Sequence, residues 1–143
     1  MSPSLRILLV EDDAEDALLF GKRLPAGFRM LHVSDADTAL AILRGGGWDV
    51  CFTDYRLGAG TGLELVRSAR AEGIGVPMVV ITGQDIESLG ENALLAGATD
   101  FVPKDDLSAT SIQRVARWAM IRRIVETRLA AGRAPTARGL VCG

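Results

Sequence analysis

Five short apolar runs punctuate the chain, with longer amphipathic stretches between them. The runs are Leu5–Val10, Arg29–Val33, Val50–Thr53, Met78–Thr82 and Asp100–Val102. Runs rich in Val, Ile, Leu and Met predict strands buried on both faces, as in a parallel sheet covered by helices. The first predicted helix starts near Asp13, with Asp16 three residues on as a capping-box-like pair. It carries Leu18, Leu19 and Phe20 and stops before Pro25 and Gly27. The second opens at Ser34 or Asp35, carries Leu40, Ile42 and Leu43, and ends in Gly45-Gly46-Gly47. The third spans about Thr61–Ala71, with Leu63, Val66 and Ala69 on one face. The fourth spans about Ile86–Ala96, with Leu89, Ala93 and Leu94, and ends at Gly97. The fifth begins near Ser108 and is the longest.

Strict alternation of strand and helix predicts a doubly wound, parallel α/β sheet of five strands. A chain of 143 residues has room for one such domain. We place that domain at residues 4–125, and read 126–143 as a helix extension and a flexible tail. The tail Gly132–Gly143 is rich in Gly, Ala and Pro and shows no periodicity.

Charge adds an asymmetry that the net value of −2 conceals. Residues 1–111 hold 9 basic and 17 acidic side chains, a balance of −8. Residues 112–143 hold 7 arginines and one acid, Glu126, a balance of +6. The hydrophobic share of 48% excludes disorder over the whole chain. There is no run of about 18 apolar residues to cross a membrane. Acids follow the first apolar run at once, unlike a signal peptide. Cys51 and Cys142 make neither a disulfide framework nor a metal pattern. The expected setting is therefore cytoplasmic. The single histidine, His32, argues against any triad or histidine-pair chemistry.

In open α/β sheets, ligands bind outside the carboxyl ends of the strands. The first run ends in Glu11-Asp12-Asp13, the third in Asp54, the fourth in Thr82-Gly83 and the fifth in Pro103-Lys104. Glu11, Asp12 and Asp54 packed together would repel, and a hard divalent cation relieves that repulsion. Mg2+ suits such a site, because it takes one or two carboxylates and keeps waters and phosphate oxygens. Three carboxylates and Mg2+ leave one negative charge, which Lys104 balances. The site is then ready for a phosphoryl group, whose transfer needs positioning and charge neutralisation. Asp54, alone at the end of the central strand, is the candidate nucleophile.

The order and spacing of these groups resemble the receiver domain of bacterial two-component response regulators. The matching residues are Glu11-Asp12 after RILLV, Asp54 in CFTDYRL, Gly62, Thr82 in VVITG and Lys104 in DFVPK. The resemblance covers about residues 4–125. It implies a flavodoxin-like (βα)5 fold with strand order 2-1-3-4-5, here with an extended fifth helix. It implies that Asp54 accepts a phosphoryl group from a sensor histidine kinase. Glu11, Asp12, Asp54 and the backbone carbonyl of Arg56 would hold Mg2+, while Lys104 pairs with the acids or the phosphoryl oxygens. Thr82 and Phe101 would form the switch. Such a module acts only on its own aspartate and is not otherwise an enzyme. Two positions depart from the family. Its proline after the lysine is here before it, Pro103-Lys104-Asp105, so the Lys104-Asp105 bond is expected to be trans. Its proline four residues after the phosphoacceptor is Gly58, in a glycine-rich loop expected to be mobile.

In the fifth helix, Ile112, Val115, Ala119, Ile121, Ile124, Val125 and Leu129 form one apolar stripe at helical spacing. Its first half is expected to pack on the sheet. Its second half, with Arg122, Arg123 and Arg128 alongside, suits a homodimer or partner contact through the fourth and fifth helices. No helix-turn-helix accompanies the basic segment, so nucleic acid is not the expected partner. The competing reading is a pseudo-receiver that works by protein contact without phosphorylation. A Mg2+ hydrolase would need a D-x-D after the first or third strand, and Asp54 is followed by Tyr55-Arg56.

Overall fold

The computed structural model describes residues 4–83 and 92–137. Strands β1 (Leu5–Val10), β2 (Phe28–Val33), β3 (Val50–Asp54), β4 (Met78–Thr82) and β5 (Asp100–Pro103) form one sheet in the order β2-β1-β3-β4-β5. Every pairing in it is parallel. Helices α1 (Ala14–Lys22), α2 (Ala36–Arg44) and α3 (Gly62–Ala71) follow the first three strands. Residues 92–95 are the described end of α4, and α5 spans Ala109–Ala137. The doubly wound five-stranded fold and its strand order are as expected. Most of the predicted fourth helix, Ile86–Ala96, lies outside the described residues, as does Cys142.

Alternate residues of a strand face opposite sides of a sheet, and the core divides accordingly. Ile7, Leu9, Val50, Phe52, Val79, Ile81 and Val102 pack with Ala17 and Phe20 of α1 and with Ile112, Ala116 and Ala119 of α5. Leu8, Val10, Cys51, Met78 and Val80 pack on the other side with residues of α2 and α3. Phe20 and Phe52 meet with ring centroids 5.2 Å apart. Burial pushes the Cys51 thiol up to about 12, which suits a packing residue and not a nucleophile. The expectation of strands buried on both faces fails for β2. It is an edge strand whose Leu31 and His32 are exposed, because only β1 pairs with it.

Helix starts follow their caps. Asp13, Asp35 and Thr61 each accept a hydrogen bond from a backbone N–H of the first turn. The capping box is at α3, where Glu64 returns a bond to Thr61. At α1 the expected pair is incomplete. Asp13 accepts from the Asp16 amide, but the Asp16 side chain goes to Lys104.

The fifth helix carries two apolar faces where one was expected. Ile112, Ala116 and Ala119 are buried against the sheet. Trp118, Ile121, Ile124, Val125 and Leu129 are exposed, and at 100° per residue most of them point away from the buried set. From Ile124 to Gly132 every residue is exposed. Residues 132–137, expected to be aperiodic tail, continue the helix. They do so although Gly132 and Pro135 both disfavour a helix interior, and nothing in the structure explains why the helix runs through them.

The glycine-rich segment after β3 is ordered as a two-residue antiparallel ribbon, Arg56–Leu57 against Gly60–Thr61. Gly62, which follows it, lies tight against the end of β3 and donates its N–H to the Tyr55 carbonyl at 2.6 Å. A Cβ there would collide with the Asp54 carbonyl oxygen and sit 2.9 Å from Thr53 Oγ1. Gly62→Ala is expected to lower folding stability by about 1–3 kcal/mol through overpacking, read from denaturant unfolding. An unchanged midpoint would show that the junction of β3 and α3 yields easily.

Candidate functional site

Strand parity brings the chemistry together. Glu11 continues the Ile7–Leu9 series, Asp54 the Val50–Phe52 series, and Lys104 follows Val102 at the same period. All three therefore fall on the side of the sheet that α1 and α5 cover. Thr82 shares its parity with Met78 and Val80 on the other side, where Phe101 is half-buried against the core.

The distances bear out the first grouping. Lys104 Nζ lies 3.5 Å from Asp54 Oδ2 and 3.8 Å from Glu11 Oε1. Oxygens of Glu11, Asp12 and Asp54 lie within 4.8 Å of one another. Glu11 is 3% exposed and Asp54 6%, whereas Asp12 is exposed. Thr82 is buried at the end of β4. Asp54, Tyr55, Arg56, Gly83 and Lys104 line a cavity of about 240 Å3 at the sheet edge. There is no cis peptide bond among the described residues, so Lys104-Asp105 is trans as expected.

Burial and the nearby Asp54 charge push the Glu11 carboxyl up to about 8. Burial also raises Asp54, and Lys104 opposes that rise. The contact between the two acids raises Glu11 and lowers Asp54, so Glu11 is the one driven toward its neutral form. Burial alone would lower Lys104. The bond to Asp16 and the charges of Asp54, Glu11 and Asp16 outweigh it and hold the ammonium above its usual range. Three clustered carboxylates, two of them buried, suit a hard cation with oxygen ligands.

Three contributors escaped the sequence reading. The Gly58 amide donates to Asp12 Oδ2 at 2.8 Å, fixing the exposed acid from the ribbon. A proline, the family's usual residue there, has no N–H to give. Gly58 also has φ +57°, which a glycine adopts freely. His32 Nε2 lies 2.7 Å from the Glu11 carbonyl oxygen and supports the backbone behind the acids. Asp16 takes the short bond from Lys104, at 2.7 Å.

Residues 7–116 match the response regulator receiver domain. The chain belongs to the response regulator receiver family. The receiver is 37% identical over 113 residues to the swarming motility regulation protein RssB of Serratia marcescens, covering 78% of this chain and 51% of that protein. It is 32% identical over 100 residues to the alginate biosynthesis transcriptional regulatory protein AlgB of Pseudomonas aeruginosa, covering 69% of this chain and 22% of that protein. It thus spans about half of the first relative and about a fifth of the second. Among solved structures it is similar to the receiver domain of the sensor histidine kinase PA1611 of Pseudomonas aeruginosa PAO1, with a TM-score of 0.71 and 29% identity. That match covers 81% of this chain and 98% of that one. The PA1611 structure has a magnesium ion coordinated in its active site cleft. No described helix is long and apolar enough to cross a membrane.

The raised Glu11 fixes a pH dependence. An acid whose pKa rises on folding from 4.5 to about 8 stabilises the fold below 4.5, and loses that contribution as pH rises toward 8. Melting of the metal-free receiver is therefore expected to fall between pH 5 and 8, and Glu11→Gln to flatten the slope. A melting temperature that rises over this range in the wild type would contradict the assigned protonation.

Proposed function

We propose that this receiver accepts a phosphoryl group on Asp54 from a phosphohistidine of a sensor histidine kinase, and that this switches a protein-contact surface. The observation that carries the reading is the convergence of Asp54, Glu11 and Lys104 on one side of the sheet edge, with Asp12 beside them. An Asp54 carboxylate oxygen attacks phosphorus. The O–P bond forms as the P–N bond breaks, and the imidazole leaves with the electron pair. Mg2+, when held by Glu11, Asp12, Asp54 and the Arg56 carbonyl, would neutralise charge on the phosphoryl oxygens.

Lys104 meets the phosphoryl oxygens from the α1 side. The Thr82 hydroxyl reaches them from the β4 end, and Phe101 moves inward with it. The new charge of about −1.5 to −2 supplies the bias between the two states. The module works in the cytoplasm and catalyses only the phosphorylation and dephosphorylation of its own aspartate. Incubation with acetyl phosphate and Mg2+ should add one phosphate to the intact mass, and Asp54→Asn should abolish the gain. A wild-type protein that binds Mg2+ without gaining mass would instead fit a pseudo-receiver.

The contact surface is read from α5 and the end of α4. Trp118, Ile121, Val125 and Leu129 recur at spacings of three or four residues on the exposed side of α5, and Leu94 and Leu95 are exposed on α4. Such a stripe fits a second copy of the chain. Truncation after Glu126 is expected to weaken self-association in sedimentation velocity. A monomer at all concentrations in both lengths would remove the dimer.

A further inference from the structure

Lys104 is engaged before any phosphoryl group arrives. Its ammonium is 2.7 Å from Asp16 Oδ2, against 3.5 Å to Asp54 and 3.8 Å to Glu11. Only the Asp16 contact is a good hydrogen bond. Asp16 sits in the first turn of α1, where its own amide is already taken by Asp13. Its carboxylate crosses to the β5–α5 junction and makes a third acid facing the lysine. A cavity of about 280 Å3 lined by Glu11, Asp16, Leu19, Phe20, Lys104 and Leu107 adjoins the pair. The two side chains, 37% and 32% exposed, thus have room to separate.

We propose that Asp16 is a positioning residue that holds Lys104 back from Asp54 and so restrains phosphorylation. The inference rests on Asp54 being the phosphoacceptor. Two physical effects act in the same direction. Asp16 takes one of the three lysine donors and turns the ammonium toward itself, and its charge repels an incoming dianion. Without Asp16, the lysine falls onto Asp54 and Glu11 while the site is empty of phosphate, and meets the phosphoryl oxygens unopposed when it is loaded. Loss of Asp16 therefore weakens binding of a divalent cation, which competes with the lysine for Asp54 and Glu11. It also speeds phosphorylation once the cation is saturating.

The test compares four proteins: wild type, Asp16→Ala, Lys104→Met and the double variant. Alanine keeps the helix and removes both acceptor and charge. Mn2+ affinity is read by electron paramagnetic resonance without a phosphoryl donor. The rate of mass gain is read with acetyl phosphate at saturating Mg2+. Asp16→Ala should weaken Mn2+ by about threefold and speed the mass gain by about threefold, the range of a partly exposed ion pair. Both effects should shrink by more than half in the Lys104→Met background. Opposite signs in the two readings cannot come from partial unfolding, which would weaken both. Equal effects in the two backgrounds, or none, would overturn the role of Asp16. If the wild type binds Mn2+ but gains no phosphate, the phosphoacceptor reading falls, and the Mn2+ cycle alone decides whether Asp16 governs Lys104.

Discussion

Two carboxyl groups, Glu11 and Asp54, are buried against each other at the end of the sheet, and much of the site answers that repulsion. Burial and the Asp54 charge push the Glu11 carboxyl up to about 8. The surrounding groups partly neutralise what remains. Lys104 is drawn in from β5, Asp13 offers a backbone N–H to Glu11 at 3.2 Å, and the Gly58 amide fixes Asp12. None of these removes the excess of negative charge. The site stays short of positive charge by roughly what a divalent cation supplies. A phosphoryl group, itself an anion, would enter such a place only after that deficit is met.

The sheet makes the arrangement cheap to build. A strand period of two places Glu11, Asp54 and Lys104 on one face by continuing the same series that buries Leu9, Phe52 and Val102. The same period sets Thr82 and Phe101 with the opposite series, so the expected catalytic and switching groups approach from different sides of β4 and β5. Close packing at Gly62 fixes the other end of Asp54, since its backbone leaves no room for a side chain there. The chemistry is therefore attached to the core through the strand ends.

Much of this could be read in the sequence. Apolar runs marked the five strands to within a residue or two, and Asp13, Asp35 and Thr61 marked helix starts because capping is local chemistry. The acids, Thr82 and Lys104 were legible by their places at strand ends. Contacts between distant segments were not. Asp16 resembled the second half of a capping box, and only the placement of α1 against the β5–α5 junction, 88 residues away, shows that it bonds Lys104. Gly58 stood out only as a glycine in a loop, and the sequence did not show that its amide donates to Asp12. The two faces of α5 were merged into one stripe because apolar residues lie on both, and the sheet covers only one. Gly132 and Pro135, both poor residues for a helix interior, pointed to a tail where the helix runs on.

Binding of Mg2+ should displace a proton from Glu11. Calorimetric titration of the receiver with Mg2+ at pH 7, repeated in buffers of different ionisation enthalpy, counts protons released on binding. With Glu11 at about 8, roughly one proton should leave for each Mg2+ bound, and Glu11→Gln should abolish the release. Binding without proton release in the wild type would show that Glu11 is already ionised, and no binding at all would remove the cation site.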